Sequence, residues 1–169
     1  MKEPNIRLRA LELEDLDFLY QIENDDRLWE LGVSNVPYSR RVLLDYITSA
    51  SADIYVDNQV RLIVENEQNE QVGILDLTDF DPRHHRAELG IVIKKEFQGQ
   101  GYAKASVSRL LQYARNVLHL QQIYAIVGIR NQKAAKMLQS VGFEGNNVLK
   151  QWLCGLVGYE DAMFFQYFL

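Results

Sequence analysis

Two glycines stand where an apolar, strand-like run meets a helical one, in Gln98-Gly99-Gln100-Gly101-Tyr102-Ala103. A helix start leaves backbone N–H groups unpaired and carries partial positive charge. Glycine there admits positive φ and lets the main chain approach an anion closely. The stretch therefore reads as a phosphate cradle feeding a helix. A tight turn that uses glycine for its geometry fits the same residues equally well. The Walker pattern G-x-x-x-x-G-K-[ST] is absent. The dinucleotide pattern G-x-G-x-x-G also fails, because the third small position counted from Gly99 is Lys104.

Other reactive types offer less. Adjacent His84 and His85 point to opposite faces of any extended segment. Neither they nor His119 have a Cys or carboxylate at metal-ligand spacing, so no metal is expected. Cys154 is the single cysteine, which excludes an internal disulfide. In the run Trp152-Leu153-Cys154-Gly155-Leu156 it reads as a small packed core or interface residue rather than a reactive thiol.

The elements that must carry the glycine junction follow from periodicity. Alternation over 6–11 gives a strand, and 14–23 a helix with Leu16, Leu19, Tyr20 and Glu23 on one side. Ser39 can cap a second helix from Arg40 to about Ser49, striped by Leu43, Leu44 and Ile47. Runs at 59–65 and 70–77 flank a polar 66–69 and form an antiparallel hairpin. Asp81-Pro82-Arg83-His84-His85 is a turn before a strand at 87–93, in which Glu88 shares a face with Gly90 and Val92. The helix after the glycines carries Val107, Leu110, Leu111, Ala114, Val117 and Leu118 at helical spacing. The strand at 122–129 is apolar on both faces and so central. A helix over 131–141 stops at Gly142, and one or two strands end the chain. Strand, two helices, three strands, helix, strand, helix, strands is an α/β (α+β) sheet protein.

The 169 residues suit one domain spanning 1–169. Apolar residues make up 47% and charged residues 24%, an ordinary globular balance. A formal net charge of −5 argues against nucleic acid and is compatible with a cationic substrate. No run approaches the roughly 20 apolar residues that span a bilayer. The N-terminus has no apolar signal region, so no membrane association and a cytoplasmic location are expected.

Gln98, Gly101 and Ala103 fit Q/R-x-x-G-x-G/A, which resembles the pyrophosphate-binding motif of the GNAT (GCN5-related) N-acetyltransferase superfamily. Asn131 opens a helix that ends in Gly142-Phe143, similar to the superfamily's second signature. The opening 6–15 resembles the "LRPLxxxD" start of the ribosomal-protein and polyamine branches, and 85–93 resembles their fourth strand. The likeness spans essentially the whole chain. Within the superfamily it is similar to bacterial spermidine/spermine (diamine) N-acetyltransferases.

The resemblance implies the GNAT fold, a mixed, mostly antiparallel sheet flanked by about four helices. It implies an enzyme that moves acetyl from acetyl-CoA, its cosubstrate, to a primary amine such as spermidine. Backbone groups of Ile91, Val92 and Ile93 would hold the pantetheine arm. Amides of Gln98, Gly99, Gln100, Gly101, Tyr102 and Ala103 would hold the pyrophosphate. Asn131 would bond the arm, and Lys133 or Lys136 the nucleotide phosphate, with a solvated helix face the alternative for both lysines. Glu88 occupies the position of a substrate-pocket acid and is the candidate to deprotonate or anchor the amine; a structural pair with Arg86 or Arg83 is the other reading. Asp79 matches a second pocket acid, or an Asx-type turn residue. Trp29 is a candidate amine contact, or a packing residue.

The sequence departs from that pattern at two places. Seven residues after Asn131, where relatives carry a thiolate-protonating tyrosine, stands Leu138, which cannot donate a proton. The segment 27–39, acidic in polyamine enzymes, holds one acid, Glu30. Two other readings therefore stay open: a protein N-terminal acetyltransferase of the ribosomal-protein type, and an acetyl-CoA-binding module with little catalysis. Members of this branch form dimers or larger rings; the tail 164–168 is a candidate interface, with a core strand the equal alternative.

Overall fold

A computed structural model describes residues 3–28, 36–51, 53–155 and 157–169. Its seven-stranded sheet has the order β1-β2-β3-β4-β5-β7-β6. The strands are β1 (Ile6–Ala10), β2 (Val60–Asn66), β3 (Gln71–Asp81), β4 (Arg86–Ile93), β5 (Gln122–Gly128), β6 (Glu144–Gly155) and β7 (Gly158–Phe168). Every neighbouring pair is antiparallel except β4 with β5. The expected hairpin, turn and central strand are all present. The helices are α1 (Leu16–Glu23), α2 (Arg40–Ser49), α3 (Ile54–Asp57), α4 (Tyr102–Asn116) and α5 (Gln132–Val141). The sequence reading missed the four-residue α3, whose start Asp53 caps by accepting the Tyr55 N–H at 2.9 Å.

The period-2 alternation sorts the core into two layers. Leu75, Leu77, Ala87, Leu89, Ile123, Ala125 and Val127 meet Val107, Leu110, Leu111 and Ala114 of α4 and Leu138 of α5. On the opposite face Ile63 and Ile74 meet Phe18, Leu19 and Ile22 of α1 and Leu43 and Ile47 of α2. The buried stripe of α1 is thus Phe18, Leu19 and Ile22; Leu16 and Tyr20 flank it, and Glu23 pairs with Arg61 at 2.6 Å. Truncating a core leucine of either layer to alanine costs about 2–5 kcal/mol.

Cys154 is exposed on β6, an edge strand, which removes the core half of the core-or-interface expectation. Its strand neighbours face solvent as well, Trp152 at 55% and Tyr159 at 69% exposure, because nothing covers the far face of the β6–β7 ribbon among the described residues.

A buried ionic brace ties the chain start to the sheet. Arg9 on β1 forks onto Asp15, with both nitrogens at 2.7 Å, and reaches Glu65 at 2.5 Å. Asp15 also accepts from the Glu12 N–H and from Gln71. Burial alone would raise the Asp15 pKa, but the Arg9 guanidinium and these donors outweigh it and hold the carboxyl below its ordinary range.

Candidate coenzyme and acceptor site

The parallel pair β4–β5 is joined by only three register positions, Arg86 with Gln122, Ala87 with Ile123 and Glu88 with Tyr124. Beyond them β4 continues for five residues without a partner on that side, while its other edge stays paired with β3 up to Ile93. The Lys94 N–H bonds the Val72 carbonyl at 2.9 Å, which fixes the parity of the antiparallel ladder. Even-numbered residues of β4 therefore turn their amides to β3, and odd-numbered ones to β5. Ile91 and Ile93 present main-chain groups to the open wedge. Val92 turns its own into the β3 ladder and packs its side chain toward α1 and α2.

The glycine loop closes the top of this wedge. Gly99 has φ 76° and Gly101 φ 89°, both left-handed. A Cβ on Gly101 would stand 3.1 Å from Pro4, whereas one on Gly99 would meet nothing within 4 Å. Side chains cap α2, α3 and α5, but α4 starts at Gly101 with no side-chain cap and no acid in its first turn. The amides of Gly99, Gln100, Gly101, Tyr102 and Ala103 have no acceptor among the described residues. Such a row of free N–H groups at a helix N-terminus fits a diphosphate. Gln98 is different. Its amide bonds Lys95 at 3.3 Å, and its side chain donates to the Ile93 carbonyl at 2.9 Å, tying the loop to the strand end.

Asn131 stands across the wedge at the start of α5. Its Oδ1 accepts the Ala134 N–H at 3.1 Å, a helix cap that the sequence reading did not anticipate. Its Nδ2 has no acceptor among the described residues. Lys133 and Lys136 are exposed on α5. Lys104 pairs with Glu3 at 3.3 Å. Leu138 is 2% exposed in the core, so the place of the relatives' tyrosine is filled by packing.

Where β4 and β5 part stands Glu88, half-buried. Arg86 pairs with Asp81 at 3.0 Å rather than with Glu88, and Glu88 has no ion pair among the described residues. Burial pushes its pKa up, and the Asp79 charge pushes it further. Asp79 is no Asx-turn residue; Asp81 fills that role, accepting from the Arg83 and His84 N–H groups. Asp79 instead accepts from the Tyr124 hydroxyl at 2.5 Å. On the same face Arg61 is held between Glu23 at 2.6 Å and Asp76 at 2.8 Å, with its guanidinium over the Tyr46 ring at 5.4 Å. Sequence reasoning missed Tyr124 and this Arg61 cluster. Only the alternation that puts Asp76, Glu88 and Tyr124 on one sheet face hinted at them. Trp29 lies outside the described residues. Among the described residues no group of His, Cys, Asp and Glu could hold a metal.

A splayed parallel pair beside a bare, glycine-started helix, with a raised carboxyl at the fork, can hold a diphosphate-bearing thioester beside a proton acceptor, as an acyltransferase requires. Residues 5–144 match the family model of the acetyltransferase (GNAT) domain, and the chain belongs to that family, as an acetyl-CoA-dependent N-acetyltransferase. It is 30% identical over 159 residues to the spermidine N(1)-acetyltransferase of Vibrio cholerae, covering 93% of this chain and 89% of the relative. The crystal structure of the Vibrio cholerae spermidine N-acetyltransferase in complex with CoA and spermine superposes with a TM-score of 0.84 at 28% identity, covering 96% of this chain and 95% of that one. A dodecameric structure of the same enzyme gives a TM-score of 0.82 at 28% identity, covering 96% and 93%.

Proposed function

We propose that the chain acetylates a primary amine of a di- or polyamine, with Glu88 as the group that takes the proton from the attacking ammonium. The observation that carries this reading is the Glu88 carboxyl itself, half-buried at the fork of β4 and β5, unpaired, and raised in pKa. An alkyl ammonium has a pKa of about 10.4, so it must lose a proton before its nitrogen can attack. Bound acetyl-CoA supplies the thioester whose C–S bond breaks as the new C–N bond forms, the departing sulfur leaving as thiolate. Glu88 receives the ammonium proton, directly or through one water. Ile91, a β5-facing residue beyond the last rung, offers its N–H to the charge developing on the carbonyl oxygen. Ile93, Asn131 Nδ2 and the amides of 99–103 hold the arm and diphosphate, and Lys133 and Lys136 the outer phosphate. With Leu138 in the core, the thiolate is protonated by solvent, consistent with a pKa of about 8.5 for a thiol.

Four carboxylates on or beside one sheet face, Glu23, Asp76, Asp79 and Glu88, with the half-buried Arg61 as the cation between two of them, favour a substrate with more than one ammonium group. The spermine-bound relative supports the same acceptor class. We further propose that residues 1–169 form one domain that assembles as a homo-oligomer, as the dodecameric relative does. The test is thiol release on mixing the protein with acetyl-CoA and, in turn, spermidine, a short diamine and an N-terminal peptide. Release with the polyamines supports the reading. Release with the peptide alone favours protein acetylation, and binding without release favours a coenzyme-binding module.

A further inference from the structure

We infer that Tyr124 is a positioning residue for the transfer: its hydroxyl holds the Asp79 carboxylate against Glu88 and so sets the pH at which Glu88 takes up a proton. The inference rests on the reading of Glu88 as the proton acceptor. Three independent features of the fold converge on it. Tyr124 is the register partner of Glu88 across the last rung of the parallel pair. Thr78 is the partner of Glu88 on the other side, and the β3–β4 register breaks between Thr78 and Asp81. That bulge gives β3 one extra residue and sets Asp79 in a left-handed conformation, φ 50°. Aspartate tolerates this geometry better than most residues, and such a conformation persists where the surroundings enforce it. What fixes the carboxylate is the Tyr124 hydroxyl at 2.5 Å. The phenol ring is in turn locked, 8% exposed and stacked on Phe164 with centroids 5.3 Å apart.

Among the described residues, the charged groups around Glu88 leave Asp79 as the one that acts on it. Arg86 on the same strand is turned to Asp81, and Arg61 from β2 is held by Asp76 and by Glu23 of α1. Tyr46 of α2 lies against Arg61, and Lys94 lies over Phe18 of α1. Gln166 of β7, beside Tyr124, is uncharged. Burial of Tyr124 and its bond to Asp79 raise the phenol pKa, so it stays a donor across the working range. A donor on Asp79 directs that carboxylate, and a directed like charge favours the protonated form of Glu88. Without the hydroxyl Asp79 swings toward solvent, and Glu88 returns toward an ordinary glutamate.

The test is a carbon-13 NMR titration of the Glu88 side-chain carboxyl in the protein without coenzyme, for wild type, Tyr124→Phe, Asp79→Asn and the double variant. Tyr124→Phe keeps the ring and its stacking on Phe164, and a thermal melt of each variant checks the fold. In wild type Glu88 titrates above the ordinary glutamate value of about 4.3. Asp79→Asn moves it down by about one pH unit, Tyr124→Phe moves it the same way, and the double variant goes no further than Asp79→Asn. The acid limb of kcat/KM for spermidine follows these midpoints. A Glu88 midpoint in Tyr124→Phe that stays at, or rises above, the wild-type value overturns the inference. Glu88→Gln separates the two claims: full turnover in that variant removes Glu88 from the proton-transfer role, while the NMR midpoints still report whether Tyr124 acts on it through Asp79.

Discussion

The carbonyl of Ile93 is bonded by the side-chain amide of Gln98, 2.9 Å away, and not by any residue of β5. One side chain thereby joins the end of the open strand to the start of the glycine loop, the two surfaces of the proposed coenzyme site. Removing it with Gln98→Ala leaves the sheet intact but frees the loop. Affinity for CoA falls about tenfold by calorimetry, equivalent to one charge-assisted or well-placed hydrogen bond, while the melting temperature changes little.

Gly101 carries a sharper constraint. At φ 89° a side chain is strained by about 1–2 kcal/mol, and its Cβ would press on Pro4. Gly101→Val lowers the melting temperature and abolishes CoA binding in the micromolar range. Gly99→Ala, with open space before it, pays only the backbone strain, and its loss of affinity is smaller.

Asn131 caps α5 through Oδ1, and two substitutions separate that role from the proposed coenzyme contact of Nδ2. Asn131→Asp keeps an oxygen to cap α5 and drops the Nδ2 donor. Its stability is unchanged, and its CoA affinity falls severalfold. Asn131→Ala loses the cap as well, which costs about 1 kcal/mol in urea unfolding on top of the same loss of affinity.

Glu88→Gln retains the shape and volume of the side chain but cannot take a proton. Its kcat falls by about 10²–10⁴-fold in steady-state assays with spermidine, while CoA binding is unchanged. Equal losses in kcat/KM and kcat mark a group that acts in the transition state.

The Arg9–Asp15–Glu65 brace predicts how stability depends on acid. Burial opposes ionisation at both carboxyls, and the arginine hydrogen bonds overcome it, so both folded-state values lie below the unfolded ones. Their contribution is complete above the unfolded values of about 4 and is lost as pH falls through the folded values. Urea midpoints of wild type therefore drop steeply below about pH 4. Asp15→Asn is less stable at pH 7 and shows a shallower acid decline.

The strands and long helices were legible because their periodicities match their burial. The alternation at 6–11, the hairpin at 59–77 and the stripe from Val107 to Ala114 match the structure, whereas Val117 and Leu118, expected on the same stripe, lie beyond the end of α4. The phosphate loop is legible for a different reason: two glycines alone fit a tight turn equally well, but Gln98, Gly101 and Ala103 together fit Q/R-x-x-G-x-G/A. What sequence could not give depends on register. Asp79 and Tyr124 are 45 positions apart, and they meet only because a bulge in β3 turns Asp79 out of the ladder. The division of labour between Ile91 or Ile93 and Val92 is a matter of ladder parity, invisible until β3 pairs with β4. Bulges likewise break the alternation of β6, so the short apolar run at 152–156 did not show that Cys154 lies exposed on an edge strand.

The central claim is that the amides of 99–103 and the open edge of β4 grip acetyl-CoA. Its most direct measurement is a nitrogen-15 amide NMR titration with CoA. The account predicts large shifts at Gly99, Gln100, Gly101, Tyr102, Ala103, Ile91 and Ile93, with Val92 moving less. Saturable binding that leaves these amides at their free positions and shifts another surface contradicts it.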